Sequence, residues 1–159
     1  GFCLGALEFE KIVSFLKEKN AKFELIEHEP VFTSEQAAKI RGASLSQGVK
    51  AIVLKSGSAK FVLACVPGDK KIDFKKLAAI CGEKKFSLAS PKEVLEQTGC
   101  EIGSVSPLGV GYPLETFFDK KILENETVEF NAGLHTRSVR LNPKELVEAL
   151  QPKIADFAA

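Results

Sequence analysis

Lys50 stands in the run Val49-Lys50-Ala51-Ile52-Val53-Leu54, where every neighbour is apolar. On a β-strand it shares one face with Ile52 and Leu54, while Val49, Ala51 and Val53 line the other. Lysine is rarely buried without a partner. Two readings stay open: a cation that extends along apolar surface to water, or a cation held at a pocket rim for an anionic ligand. The second feature is Gly103-Ser104-Val105-Ser106-Pro107-Leu108-Gly109. Its Gly and Pro impose an unusual backbone, and such a loop can aim N–H groups at an anion or oxyanion; an ordinary turn has the same composition. Ser104 and Ser106 are nucleophiles by type, but no GxSxG elbow surrounds them, and only His28 and His135 exist to act as a base. The pattern speaks against Ser-His-Asp chemistry. His28, between Glu27 and Glu29, reads as a surface residue, and His135 precedes a strand. Cys3, Cys65, Cys81 and Cys100 include no CxxC pair, so no zinc site or other metal site is expected. Cys65 and Cys81 lie among apolar residues and read as buried, reduced thiols, which points to a cytoplasmic protein.

These residues need elements to position them. Phe9, Ile12, Val13 and Leu16 have helical spacing over Glu8 to Lys19. Phe23 to Glu27 alternates as a strand. Thr33-Ser34-Glu35-Gln36 has the form of a capping box, predicting a helix that ends near Gly42. Val49 to Leu54 and Phe61 to Val66 flank Ser56-Gly57-Ser58 as a hairpin. Asp73 to Ile80 predicts a helix stopped by Gly82. Phe86 to Ala89 is a short strand, and Ser90-Pro91 opens a helix to Thr98. Thr116 to Asp119, Val128 to Asn131 and Thr136 to Leu141 are further strands, and Asn142-Pro143 starts a last helix through Leu150. The expected class is α+β: a mixed, largely antiparallel curved sheet, or partial barrel, flanked by helices, in a single domain spanning 1–159.

Composition sets the outer limits. The 159 residues are 45% hydrophobic and 27% charged, which excludes disordered and collagen-like classes. No apolar run approaches a membrane span, and the apolar Gly1 to Leu7 lacks the basic start of a signal peptide. The net charge of +1 hides an asymmetry. Gln36 to Lys92 carries 12 Lys/Arg against three acids, a net +9, and the remainder carries 10 against 18, a net −8. A basic middle third is a candidate surface for an anionic partner such as nucleic acid, although charge runs are commonly only solubilising.

Five motifs occur in order: His28-Glu29-Pro30-Val31-Phe32-Thr33, Val49 to Lys55, Val66-Pro67-Gly68-Asp69 with the lysines after it, Ala89-Ser90-Pro91, and Gly103 to Pro107. Together, from about Phe23 to Leu150, they resemble the YbaK/prolyl-tRNA synthetase-associated domain family. That resemblance implies a free-standing, trans-acting aminoacyl-tRNA deacylase, a hydrolase acting on mischarged tRNA such as Cys- or Ala-tRNA(Pro), without cofactor. It implies that Lys50 anchors the substrate's 3′-terminal phosphate or ribose. It implies that Gly103 and Pro107 fix a loop whose backbone, through Ser104, Val105 and Ser106, meets the aminoacyl carbonyl or positions water. Thr33 matches a pocket-lining threonine, and His135 matches an assisting histidine of the synthetase insertion. The expected partners are the tRNA acceptor end, docked on Lys70, Lys71, Lys75 and Lys76, and prolyl-tRNA synthetase; no membrane is expected. The alternative is a non-catalytic module of the same fold that binds tRNA or a synthetase.

Overall fold

The computed structural model describes residues 4–109 and 112–159; Cys3 lies outside the described residues. The first helix, α1, runs Leu4–Glu18 and starts earlier than the apolar spacing predicts. Ile12 and Leu16 face the core and are fully buried. Strand β1 (Glu24–Glu27) is followed by α2 (Ser34–Arg41). Thr33 caps α2, its Oγ1 accepting from the Gln36 N–H at 3.1 Å. The reciprocal half of the expected box is displaced by one residue: Gln36 Oε1 accepts from the Phe32 N–H at 2.9 Å. Gly42 ends the helix at φ 68, where a side chain is disfavoured.

A 3₁₀ turn, Leu45–Gln47, leads into β2 (Val49–Ser56) and β3 (Phe61–Pro67), the predicted antiparallel hairpin. Then come α3 (Phe74–Cys81), β4 (Phe86–Leu88), α4 (Pro91–Thr98), β5 (Glu115–Asp119), β6 (Val128–Asn131), β7 (Arg137–Leu141) and α5 (Pro143–Leu150). Asp73, Ser90 and Asn142 cap the three helices, each satisfying an N–H that the first turn leaves open. A final strand, β8 (Lys153–Ala155), was not expected from the pattern. It runs parallel to β5.

The α+β class holds, and the strands divide between two open sheets. One has the order β1-β7-β6 and is antiparallel throughout; the other has the order β4-β2-β3-β5-β8 and is mixed. A bridge from Gly48 to Glu129 links them. Strand β3 is buried on both faces. Leu63 and Cys65 point into one apolar cluster with Ile12, Phe118, Phe130 and Leu146, while Val62, Ala64 and Val66 point into another with Leu77, Phe86 and Phe157. Cys65 is buried as expected; Cys81 is only half-buried, beside Lys60 and Glu115, so the apolar reading of its surroundings is corrected.

The last residues are held by a carboxylate and by backbone bonds: Lys71 and Ala159 exchange two, and the Asp73 N–H donates to the Phe157 carbonyl. Asp119 is fully buried, and its Oδ1 accepts from the Phe157 and Ala158 N–H groups at 2.8 Å each. Asp119→Ala would leave both amides without an acceptor. The expected loss of stability is about 2–6 kcal/mol, from two buried donors at about 1–3 kcal/mol each, read as a lower urea midpoint. A parental midpoint would mean that the last turn holds without this carboxylate.

Candidate active site

Strand β2 is paired on both sides only at its C-terminal end. Leu54–Ser56 lie against β4, whereas Val49–Ile52 have β3 on one side. On the other side is a cavity of about 280 Å³. The sequence reading of β2 as a central strand is thus right for half its length, and the open half positions Lys50. Lys50 lines this cavity with Thr33 and Arg41 of the α2 region, and with Gly103, Val105 and Asn131. The Val53 carbonyl accepts from the Ala89 N–H on the β4 side. Backbone groups two residues apart on a strand point the same way, so Ala51 turns its N–H and C=O to the cavity.

Lys50 is half-buried, and burial holds its ammonium below the ordinary lysine value. Glu35 and Asp69 act the other way, and Lys71 adds to the lowering. Among the described residues Lys50 makes no direct ion pair. The cation is available to an incoming anion.

The Gly103 loop forms another wall. Gly103 has φ +87, and the Asn131 Nδ2 donates to its carbonyl at 2.8 Å. The Ser104 N–H is taken by the Glu101 carbonyl, but the amides of Gly103 and Val105 have no partner among the described residues. Gly103 and Val105 line the same cavity as the Lys50 cation, and two unpaired N–H groups there are donors for an anionic oxygen. The remaining loop residues are turned elsewhere. Ser104 is buried, donates to the Glu101 carbonyl at 2.7 Å, and borders a second cavity instead. Ser106 is fully buried; its Oγ accepts from the Leu108 N–H and its carbonyl from the Tyr112 hydroxyl. Pro107 is buried and lines neither cavity. The loop's serine hydroxyls thus brace its shape.

His135 borders the second cavity, of about 500 Å³, on the other side of the loop. Its Nδ1 lies 2.9 Å from the Val31 carbonyl. A carbonyl only accepts, so the neutral ring carries its proton on Nδ1 and leaves Nε2 as the acceptor. Nε2 is 3.3 Å from Glu101 Oε2, a pairing that requires a second proton on the ring. Phe32 packs on this ring at 4.5 Å between centroids and is 65% exposed at the junction of the two cavities. His28 is not a loose surface residue: its Nδ1 donates to the Glu29 carbonyl, and its Nε2 meets Ser138 Oγ at 2.7 Å.

Sequence reasoning missed Arg41 and Asn131. The Arg41 side chain is 4% exposed, and Glu129, at 1%, lies 3.8 Å from its Nε. Nε donates to Ser138 Oγ and Nη2 to Asn131 Oδ1, both at 3.0 Å. Burial lowers the guanidinium to about 10 while Glu129 opposes the shift, so it remains charged at neutral pH. Asn131 joins this network to the Gly103 carbonyl, carrying the position of the loop back to α2 and the three-stranded sheet. The signal available in the sequence was a cation ending a short helix, a position that ordinarily serves the helix dipole.

The basic middle third is partly neutralised by acids from outside it. Lys55 pairs with Glu93, Lys60 with Glu115, Lys92 with Glu96, and Arg41 with Glu129. Of the four predicted contact lysines, Lys70 lies 4.0 Å from Asp69, Lys71 influences Lys50, and Lys75 and Lys76 are exposed on the first turn of α3. Among the described residues no cluster of three His, Cys, Asp or Glu is placed to hold a metal ion, and no helix is long and apolar enough to cross a membrane.

Comparison with known proteins gives this arrangement a family. The aminoacyl-tRNA editing domain profile matches residues 28–149. A protein of Escherichia coli (strain K12) named multifunctional Ser/Thr-tRNA deacylase ProXp-y is 34% identical over 157 residues, covering 96% of this chain and 94% of its own. A proline–tRNA ligase of Thermosipho africanus is 39% identical over 79 residues, half of this chain and 14% of the ligase. A solved structure described as a candidate trans-editing enzyme for prolyl-tRNA synthetase superposes with TM-score 0.84 at 27% identity, covering 96% of this chain and 97% of that one. On the match over most of its length, the chain belongs to the aminoacyl-tRNA editing domain family.

Proposed function

We propose that the chain, acting as one domain, is a trans-acting deacylase that hydrolyses the ester between a wrongly attached small amino acid and the 3′-terminal ribose of a tRNA. The observation that carries this reading is the meeting of Lys50 with the unpaired Gly103 and Val105 amides around one cavity. Lys50 anchors the terminal phosphate or ribose at the mouth. Water attacks the ester carbonyl carbon, and its oxygen becomes an oxyanion facing the loop amides. The carbon–oxygen bond to the ribose then breaks, and the ribose oxygen takes a proton, giving a free amino acid and an uncharged tRNA. An aminoacyl ester is already activated, so this route needs no side-chain nucleophile; one oriented donor is commonly worth about 10²–10³ in rate. His135, with Nε2 as its acceptor, assists proton movement from the second cavity, and Thr33 lines the same cavity as Lys50. Pro107 and Ser106 shape the loop from behind.

The small cavity favours cysteine, alanine, serine or threonine esters, consistent with the name of the Escherichia coli relative. The ligase relative makes tRNA(Pro), and prolyl-tRNA synthetase as a partner, the leading candidates. The deciding experiment follows ester loss from a panel of correctly and incorrectly charged tRNAs. Hydrolysis of at least one mischarged tRNA, well above the uncatalysed rate, is expected; a flat panel would refute the enzyme reading. Docking is proposed on Lys70, Lys71, Lys75 and Lys76. Neutralising Lys75 and Lys76 together would weaken tRNA binding and lower the slope of log K against log salt by about 1.4–1.8. An unchanged slope would move the docking surface elsewhere.

A further inference from the structure

We propose that Arg41 selects the substrate's amino acid, its Nη1 donating to a β-hydroxyl, so that serine and threonine esters are favoured over alanine esters. This rests on the deacylase reading and assigns a role to a residue that reading does not use. Depth is the first argument. A tRNA cannot enter a cavity of about 280 Å³, so its terminal phosphate stays at the mouth with half-buried Lys50, and the ester lies at the Gly103 loop. What reaches further inward is the amino-acid side chain, and the Arg41 side chain, 4% exposed, lines that interior.

The donors of Arg41 give the second argument. Nε is used by Ser138 and one Nη2 donor by Asn131. Nη1 has no partner among the described residues. Gly48 stands beside it: a methyl built there would sit 3.7 Å from Nη1. A donor nitrogen without a partner, on a side chain removed from bulk water, selects an acceptor oxygen. The other walls, such as Ala37, Val53, Ala89 and Val94, are small and apolar, which limits that oxygen to a short side chain. The acceptor is a hydroxyl rather than a carboxylate. The Nε/Nη2 edge, one side on which a guanidinium grips a carboxylate in two places, is occupied by Ser138 and Asn131; Glu129 lies beside the group but is shared with Arg140, so the aspartate ester is included in the test.

The test measures kcat/KM for one tRNA charged in turn with serine, threonine, alanine and aspartate. The parent should favour serine over alanine by about tenfold to a hundredfold, the range for a hydrogen bond from a charged donor. Gly48→Ala covers Nη1 at ordinary contact distances and at an unstrained φ of −70, so it should fold and bring the serine-to-alanine ratio to near parity. Arg41→Lys, which keeps charge for Glu129 but loses Nη1, should do the same. Asn131→Ala frees the Gly103 carbonyl and also removes the Nη2 acceptor, leaving Arg41 its Nε bond to Ser138; it should slow both esters. A parent that hydrolyses alanine as fast as serine, or a ratio surviving in Gly48→Ala, overturns the assignment. Faster hydrolysis of the aspartate ester would overturn it in favour of a carboxylate site. Hydrolysis of none of the four overturns this assignment; if the cysteine ester is also left intact, the deacylase reading itself is refuted.

Discussion

Lys50→Ala is expected to lose deacylation by about a hundredfold or more while the protein stays as stable as the parent. The size of the effect follows from removing a cation aimed at substrate charge in a partly water-excluded site. The stability follows from the surroundings: burial already disfavours the ammonium, and no direct ion pair is lost. Lys50→Arg keeps the charge but spreads it over a wider, planar group, and partial activity is expected if the cavity mouth admits it. Chemistry that depends on charge also has a pH signature. The Lys50 ammonium is held below the ordinary lysine value, so activity should fall on the alkaline side at a lower pH than a free lysine would give. The sign for stability is opposite. With a lowered folded pKa, the unfolded chain holds the proton longer as pH rises, so the penalty of burying the charge is full at neutral pH and is relieved through the folded pKa. Lys50→Met should remove that dependence. A Schiff-base role would instead predict borohydride trapping of a carbonyl substrate on Lys50, and no adduct is expected. Near-parental hydrolysis by Lys50→Ala would overturn the proposed mechanism.

How far the site was legible depends on which of its parts are local. Lys50 was visible because an apolar strand makes a lysine conspicuous, and the Gly103 loop because Gly and Pro punctuate it. The caps at Thr33, Asp73, Ser90 and Asn142 are short-range chemistry, and those helices fall where the spacing predicts. Tertiary pairing is different. Nothing in Val49 to Leu54 says that only its last residues meet β4, yet that half-open edge creates the cavity. Strand β8 is three residues, largely exposed, and exists because β5 offers an edge to it. The division into two sheets is equally long-range, since alternation reports which face is buried and not which strand is the neighbour. Arg41 and Asn131 lie 90 residues apart in the chain; each is unremarkable in sequence, and only the packing of α2 against β6 makes them one network. The charge count failed for the same reason. The +9 of the middle third overstates the free cations, because Glu93, Glu96, Glu115 and Glu129 come from outside that stretch to pair with it.

Gly103→Val is expected to abolish measurable hydrolysis, a loss of about 10²–10³ if one oriented donor is displaced, with the fold intact. Simple crowding is not the cause. A Cβ on Gly103 would meet His135 Cε1 at 3.5 Å and the Phe32 carbonyl at 3.8 Å, both ordinary contacts. The conflict is in the backbone. At φ +87 a β-branched residue is strained by about 1–3 kcal/mol. The peptide after Gly103 is held at both ends, its carbonyl by Asn131 and its N–H, that of Ser104, by the Glu101 carbonyl, so the strain passes to the flanking peptides, which carry the Gly103 and Val105 amides. The loop residue is exposed, so the strain should lower the melting temperature without unfolding the protein. Gly82→Val separates strain from site geometry. Gly82 also has positive φ, +70, with nothing within 4 Å of a built Cβ, and it ends α3 outside the cavity lining. It should show a similar loss of stability with parental kcat/KM. If Gly103→Val is folded and hydrolyses its substrate at the parental rate, the loop is only a turn, and the oxyanion must be met by other donors, of which the Ala51 N–H on the open edge of β2 is the next in line.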